Sequence, residues 1–183
     1  MELSYITESV LRQRIDDSIE YIYTLYEQSK REENGETYQS ETYRVIIVYI
    51  VAIIEAVLFY VYQRHPNKIT KIEYKDKINF KESYQNSNIK GRVILATEKI
   101  IEKGESELSL HELVTFLEKE KVLKSDTVAK LKNIMTLRNS VHLRQKQSAV
   151  CTVGDVEDAL DFLVYVITHT SKRIKRQIGA SNH

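Results

Sequence analysis

A chain of 183 residues fits a single domain and buries enough surface to need neither a disulfide nor a metal staple. Its 42% hydrophobic and 29% charged residues exclude wholesale disorder, and five glycines with one proline are too few for the turns of a β-sandwich or barrel. The 27 basic and 26 acidic side chains nearly cancel, so the chain as a whole has no nucleic-acid signature, but the balance swings from 10 acidic and 4 basic residues in 1–41 to 4 basic and no acidic residues in 162–183.

The expectation is an all-α, single-domain bundle of about five to seven helices over residues 1–183. Cys151 stands alone, which excludes an intramolecular disulfide and any multi-cysteine zinc site, and fits a reducing compartment. The opening MELSYITESV has neither the basic start nor the apolar core of a secretory signal, so a cytoplasmic location is expected.

The first helix is predicted over residues 3–33, where Ile15, Ile19, Ile22 and Tyr26 recur at helical spacing and Asn34-Gly35 supplies the stop. A second follows over 40–64, ended by His65-Pro66, because the residue before proline resists the α region. Its segment 45–62, VIIVYIVAIIEAVLFYVY, is 18 residues long with one charge, Glu55. That is the minimum for a membrane span, but a helix apolar all round is equally suited to the centre of a bundle, and the latter is expected. Residues 66–91 read as an irregular or short-strand insertion, with Ile72/Tyr74 and Ile78/Phe80 alternating like strands.

Gly91 and Gly104 bracket a predicted short helix with Val93, Ile94, Leu95, Ile100 and Ile101. Ser109 and Glu112 form a capping-box pattern with Leu108 and Leu113 placed for the staple, and Ser125 caps a helix carrying Val128, Leu131, Ile134 and Met135. The last helix opens near residues 152–155 and ends in the basic run at 172–176, whose charge suits a helix C-terminus.

Most catalytic vocabulary is absent: there is no Gly-rich loop, no HExxH and no GxSxG, and no metal or cofactor is implied. The informative segment is Leu137-Arg138-Asn139-Ser140-Val141-His142-Leu143-Arg144. On a continuing helix, Arg138 and His142 share a face with Ile134, so both polar groups extend an apolar stripe and need partners. One reading is structural, with Arg138 paired to the lone carboxylate Glu55 and His142 closing the helix through a backbone bond. In that reading, losing either charge strands the other.

Three segments carry a resemblance to the HEPN family of small helical bundles, which includes many prokaryotic RNA-cutting and RNA-binding proteins. IVAIIEAVLFYVY is similar to the family's second helix, LKNIMTLRNSVHLR to its Arg-polar…His motif, and TVGDVEDALDFLVYVITH to the helix that follows. The resemblance implies metal-independent endoribonuclease activity at a dimer cleft, in a toxin or defence effector. His142 would be the general acid or base at a ribose 2′-hydroxyl, Arg138 would stabilise the phosphorane-like transition state, and Asn139 would orient either one. Glu55 would support Arg138. A homodimer, an RNA substrate and an antitoxin or other partner protein are implied, with no membrane. Only Asn139, Ser140 and Val141 separate Arg138 from His142, a shorter interval than the family's usual one. The alternative is therefore a non-catalytic HEPN-like module that binds RNA or protein.

The remaining histidines, His65, His111 and His169, have no partner at catalytic spacing in the sequence. The 12 tyrosines mostly fall at core spacing, and Cys151 reads as a small apolar residue.

Overall fold

In the computed structural model, which describes residues 3–31, 35–79, 94–139 and 150–180, helix α1 spans Ser9–Ser29 and helix α2 spans Glu36–Gln63. The chain divides into a helical unit, residues 1–64 and 110–183, and a hairpin unit, residues 65–109.

In the helical unit, α1 begins later than its sequence pattern suggests, although Leu3, Tyr5 and Ile6 are all buried. Their backbone is satisfied without a helix. Ile6 N–H reaches the Leu3 carbonyl at 2.9 Å, and the Tyr60 hydroxyl donates to the Tyr5 carbonyl at 2.8 Å while accepting the Thr7 N–H at 2.9 Å. Arg64 lies over the Tyr60 ring, 3.4 Å from its centroid, and its Nη2 bonds Thr7 Oγ1 at 3.2 Å.

Helix α2 is the hub. Ile46, Ile50, Ile54, Val57 and Leu58 are fully enclosed, and α1, α3, α4 and α5 all pack against it. The apolar run at 45–62 is thus the centre of the helical unit, as its all-round apolarity implies.

Helix α3, Leu110–Lys119, starts one residue after Ser109, where the capping pattern puts it, and buries Leu110, Leu113, Val114 and Leu117. It ends in a Schellman arrangement in which the N–H groups of Lys121 and Val122 bond the carbonyls of Glu118 and Leu117 at 2.9 and 2.8 Å. Lys121 takes the left-handed position, φ 56°, usually filled by glycine, which is one way a glycine-poor chain still makes its turns. Helix α4 spans Ser125–Asn139 and α5 spans Val153–Ala180. Five α-helices among the described residues match the expected bundle.

The hairpin unit corrects one expectation. Residues 94–102 form a strand, not a helix: β2, Ile94–Glu102, pairs antiparallel with β1, Thr70–Asn79. Apolar residues at 94, 95, 100 and 101 fit either period, and β-branched Thr97, Ile100 and Ile101 favour the extended form once β1 supplies a ladder. The insertion is accordingly a hairpin extending past residue 91; Phe80, Gly91 and Val93 lie outside the described residues. Asp76, at φ 53°, and Lys77 oppose a single residue of β2 in a bulge between Lys75 and Ile78. A short 3-10 turn, Glu105–Glu107, follows, and Glu107 accepts the Gly104 N–H at 2.9 Å and pairs with Lys71. Those two contacts, Lys71 first, lower the Glu107 pKa.

Candidate functional site

The apolar stripe of α4 runs Val128, Leu131, Ile134, all buried against the helical core, and its next position is Arg138. Arg138 is half-buried, and Asn139, the last residue of α4, is exposed. Ser140, Val141, His142, Leu143 and Arg144 lie outside the described residues. Of the four site residues picked from sequence, the structure therefore describes Arg138, Asn139 and Glu55.

Direct contact between Arg138 and Glu55 is absent: among the described residues, no ion pair or hydrogen bond joins them. The cause is local exposure on α2. Ala52 is exposed, and Glu55, Ala56 and Phe59 are half-buried, so this one stripe of the hub helix is incompletely covered. Water reaches the Glu55 carboxylate, which then needs no buried cation. Among the described residues Arg138 in turn has no carboxylate partner, and its position in the last turn of α4 suits the negative end of the helix dipole.

Both α4 and α5 pack on α2, and between them lies a groove of about 680 Å³. Helix α4 lines it with Asp126, Thr127, Lys130 and Leu137, and α5 with Asp158, Asp161 and Tyr165. The Tyr165 hydroxyl and Thr127 Oγ1 are 3.3 Å apart across it. Tyr165 stacks on His169, with centroids 5.6 Å apart and planes at 14°, and on Phe162 at 6.2 Å. His169 is held in turn by its Nε2, 3.3 Å from the Val122 carbonyl. This histidine has a defined structural post that its place in the sequence did not reveal.

Asp155, Asp158 and Asp161 recur every three residues and, with Asp126, set four carboxylates against Lys124 and Lys130 along the groove. The groove therefore attracts cations and repels a phosphodiester backbone. The three-residue spacing on α5 is the signal by which sequence reading could have found it. Asp155 also builds the start of α5: its Oδ2 accepts the Thr152 N–H at 2.8 Å and the Thr152 hydroxyl at 2.7 Å, while its own N–H donates to Thr152 Oγ1 at 3.3 Å. Arg138 stands outside the lining, next to the lining residue Leu137.

Cys151 is buried, and burial pushes its thiol up to about 11, with Asp155 acting in the same direction and Arg44 opposing. It is protonated at neutral pH and packs as the small apolar residue its surroundings in the sequence suggest. His111 is exposed, and the His65 Nδ1 accepts the Asn67 N–H at 3.2 Å.

Comparison with known protein families, with curated proteins and with solved structures finds no match for this chain.

Proposed function

We propose that the protein is a HEPN-like, metal-independent endoribonuclease in which Arg138 and His142 handle the scissile phosphate. The observation that carries this reading is Arg138 itself: an arginine on the core stripe of α4, half-buried, with no carboxylate partner among the described residues. An arginine so held keeps its guanidinium fork for an external anion, and a phosphate suits it bidentately. His142, four positions further on, would take the ribose 2′-hydroxyl proton as that oxygen attacks phosphorus, while Arg138 stabilises the added charge and the 5′-oxygen leaves.

The test is incubation of the purified protein with a mixed RNA pool in chelator. Cleavage is expected from the parent, with complete loss in His142→Ala and a fall of about a hundredfold or more in Arg138→Ala. An intact pool, or a His142→Ala protein that cuts as fast as the parent, overturns the reading. The four carboxylates of the α4–α5 groove favour a second one, a non-catalytic module that holds a basic protein segment. A parent protein that leaves RNA whole while Asp158→Asn weakens capture of a lysine-rich peptide is the outcome that selects it.

A further inference from the structure

The α4–α5 groove has a shape, a floor and a charge order that fit one class of small ligand. Its volume of about 680 Å³ lies inside the roughly 300–1,000 Å³ of small-molecule sites. It is long: Asp126 to Leu137 on one wall and Asp155 to Tyr165 on the other each rise about 15 Å along their helices. The floor is apolar, with Ile134 and Phe162 only 7% and 5% exposed. Beside them Tyr165 is 41% exposed, yet Phe162, His169 and the Thr127 hydroxyl fix it in place. An aromatic ring so exposed and so fixed offers contact area without an ordering cost.

Negative charge is spread along this trough and not gathered at a point. Asp158 and Asp161, about 4.5 Å apart in helical rise, share the groove face of α5 with Phe162 and Tyr165, and Asp126 stands on the α4 wall. Among the described residues these three aspartates have no ion-pair or hydrogen-bond partner. Lys124 and Lys130 belong to the α4 side, so the α5 wall, with three carboxylates and no cation, is uncompensated. No three carboxylates, histidines or cysteines among the described residues converge as a metal site, so a single divalent ion does not answer this charge. Ammonium groups strung on methylenes do, because their stems can lie on apolar surface while each charge meets a carboxylate. We infer that the groove binds a linear aliphatic polyamine, with its ammonium groups at Asp126, Asp158 and Asp161 and its methylenes along Ile134, Phe162 and Tyr165. The site is the groove of the second reading above, given a free small cation in place of a protein segment, and it stands apart from the ribonuclease reading.

Isothermal titration of the full chain with spermine, a linear tetraamine, at physiological salt tests it. One saturable site is expected. Asp158→Asn with Asp161→Asn in one protein should weaken binding about tenfold or more, and Tyr165→Ala in another roughly fivefold. Asp16→Asn with Asp17→Asn removes an equally acidic, exposed pair from α1 and should bind as the parent does. Equimolar magnesium should leave the site occupied, and circular dichroism matching the parent keeps loss of folding from imitating loss of the site. The proposal is overturned by the lack of a saturable site at millimolar spermine, by a groove variant that binds as the parent does, by equal weakening in the α1 variant, or by displacement with equimolar magnesium. A lysine-rich peptide that binds while spermine neither binds nor competes also overturns it, and leaves the second reading standing. RNA is absent from every arm, so the outcome is independent of the cleavage assay.

Discussion

Helices α2 and α5 are each 28 residues long, and they occupy the helical unit in opposite ways. On α2, isoleucine, valine, leucine and tyrosine surround the axis, four other helices cover it, and Glu55, the one charge in its 45–62 segment, sits on the stripe left partly open. On α5, apolar residues form one face only, and the other carries an ordered series of charges. Equal length and equal helicity thus hide different work. Substitutions at the enclosed positions of α2 bear on whether the chain folds, whereas substitutions on the exposed face of α5 leave the core intact.

The sharpest way to break that contrast is to trim one β-branched aliphatic side chain to alanine on each helix. Ile54→Ala empties a fully enclosed position and is expected to cost about 2–5 kcal/mol of unfolding free energy. Val164→Ala, 45% exposed, should stay within about 0.5 kcal/mol. Denaturant melts of both variants read the difference, and equal losses would erase the distinction between hub and outer helix.

A smaller effect is expected at the edge of the hub. Tyr60→Phe removes the hydroxyl that serves the Tyr5 carbonyl and the Thr7 N–H at once, leaving one buried carbonyl and one partly buried N–H without that partner. The expected loss is about 1–3 kcal/mol, accompanied by faster amide exchange at Thr7. A Phe variant with parent stability and unchanged exchange would mean that the opening segment is held by its side chains alone.

The smallest effect is expected at the charge on α2. Because Glu55 is half-buried and unpaired with Arg138 among the described residues, Glu55→Gln should shift stability by no more than about 0.5 kcal/mol. A loss of several kcal/mol in the same melt would restore the buried ion pair suggested by the sequence.

Much of the helical unit was legible because its helices announce themselves by period and punctuation. The stripe Val128, Leu131, Ile134, the Thr152–Asp155 start of α5 and the all-round apolarity of 45–62 each follow from nearest-neighbour chemistry. Residues 94–102 were misread for the same reason. Paired isoleucines and leucines at both ends fit a helical face or a strand, and the decision rests with β1, which is distant in sequence and absent from any local window. The candidate site was legible only in part. Arg138 falls on the stripe that its spacing from Ile134 dictates, whereas the groove beside it exists because α4 and α5 both pack on α2 with open space between them.

By itself, then, the sequence determined roughly where the helices of the helical unit form, which face of each is apolar and the order of charges along α5, because propensity, capping and period act over a few residues. Only the tertiary structure decided that Glu55 meets water rather than Arg138, that Tyr60 replaces a helical turn for residues 5–7, and that four aspartates line one groove. Those outcomes depend on how completely neighbouring helices cover α2. Coverage is set by packing among segments distant in the chain, and no local pattern records it.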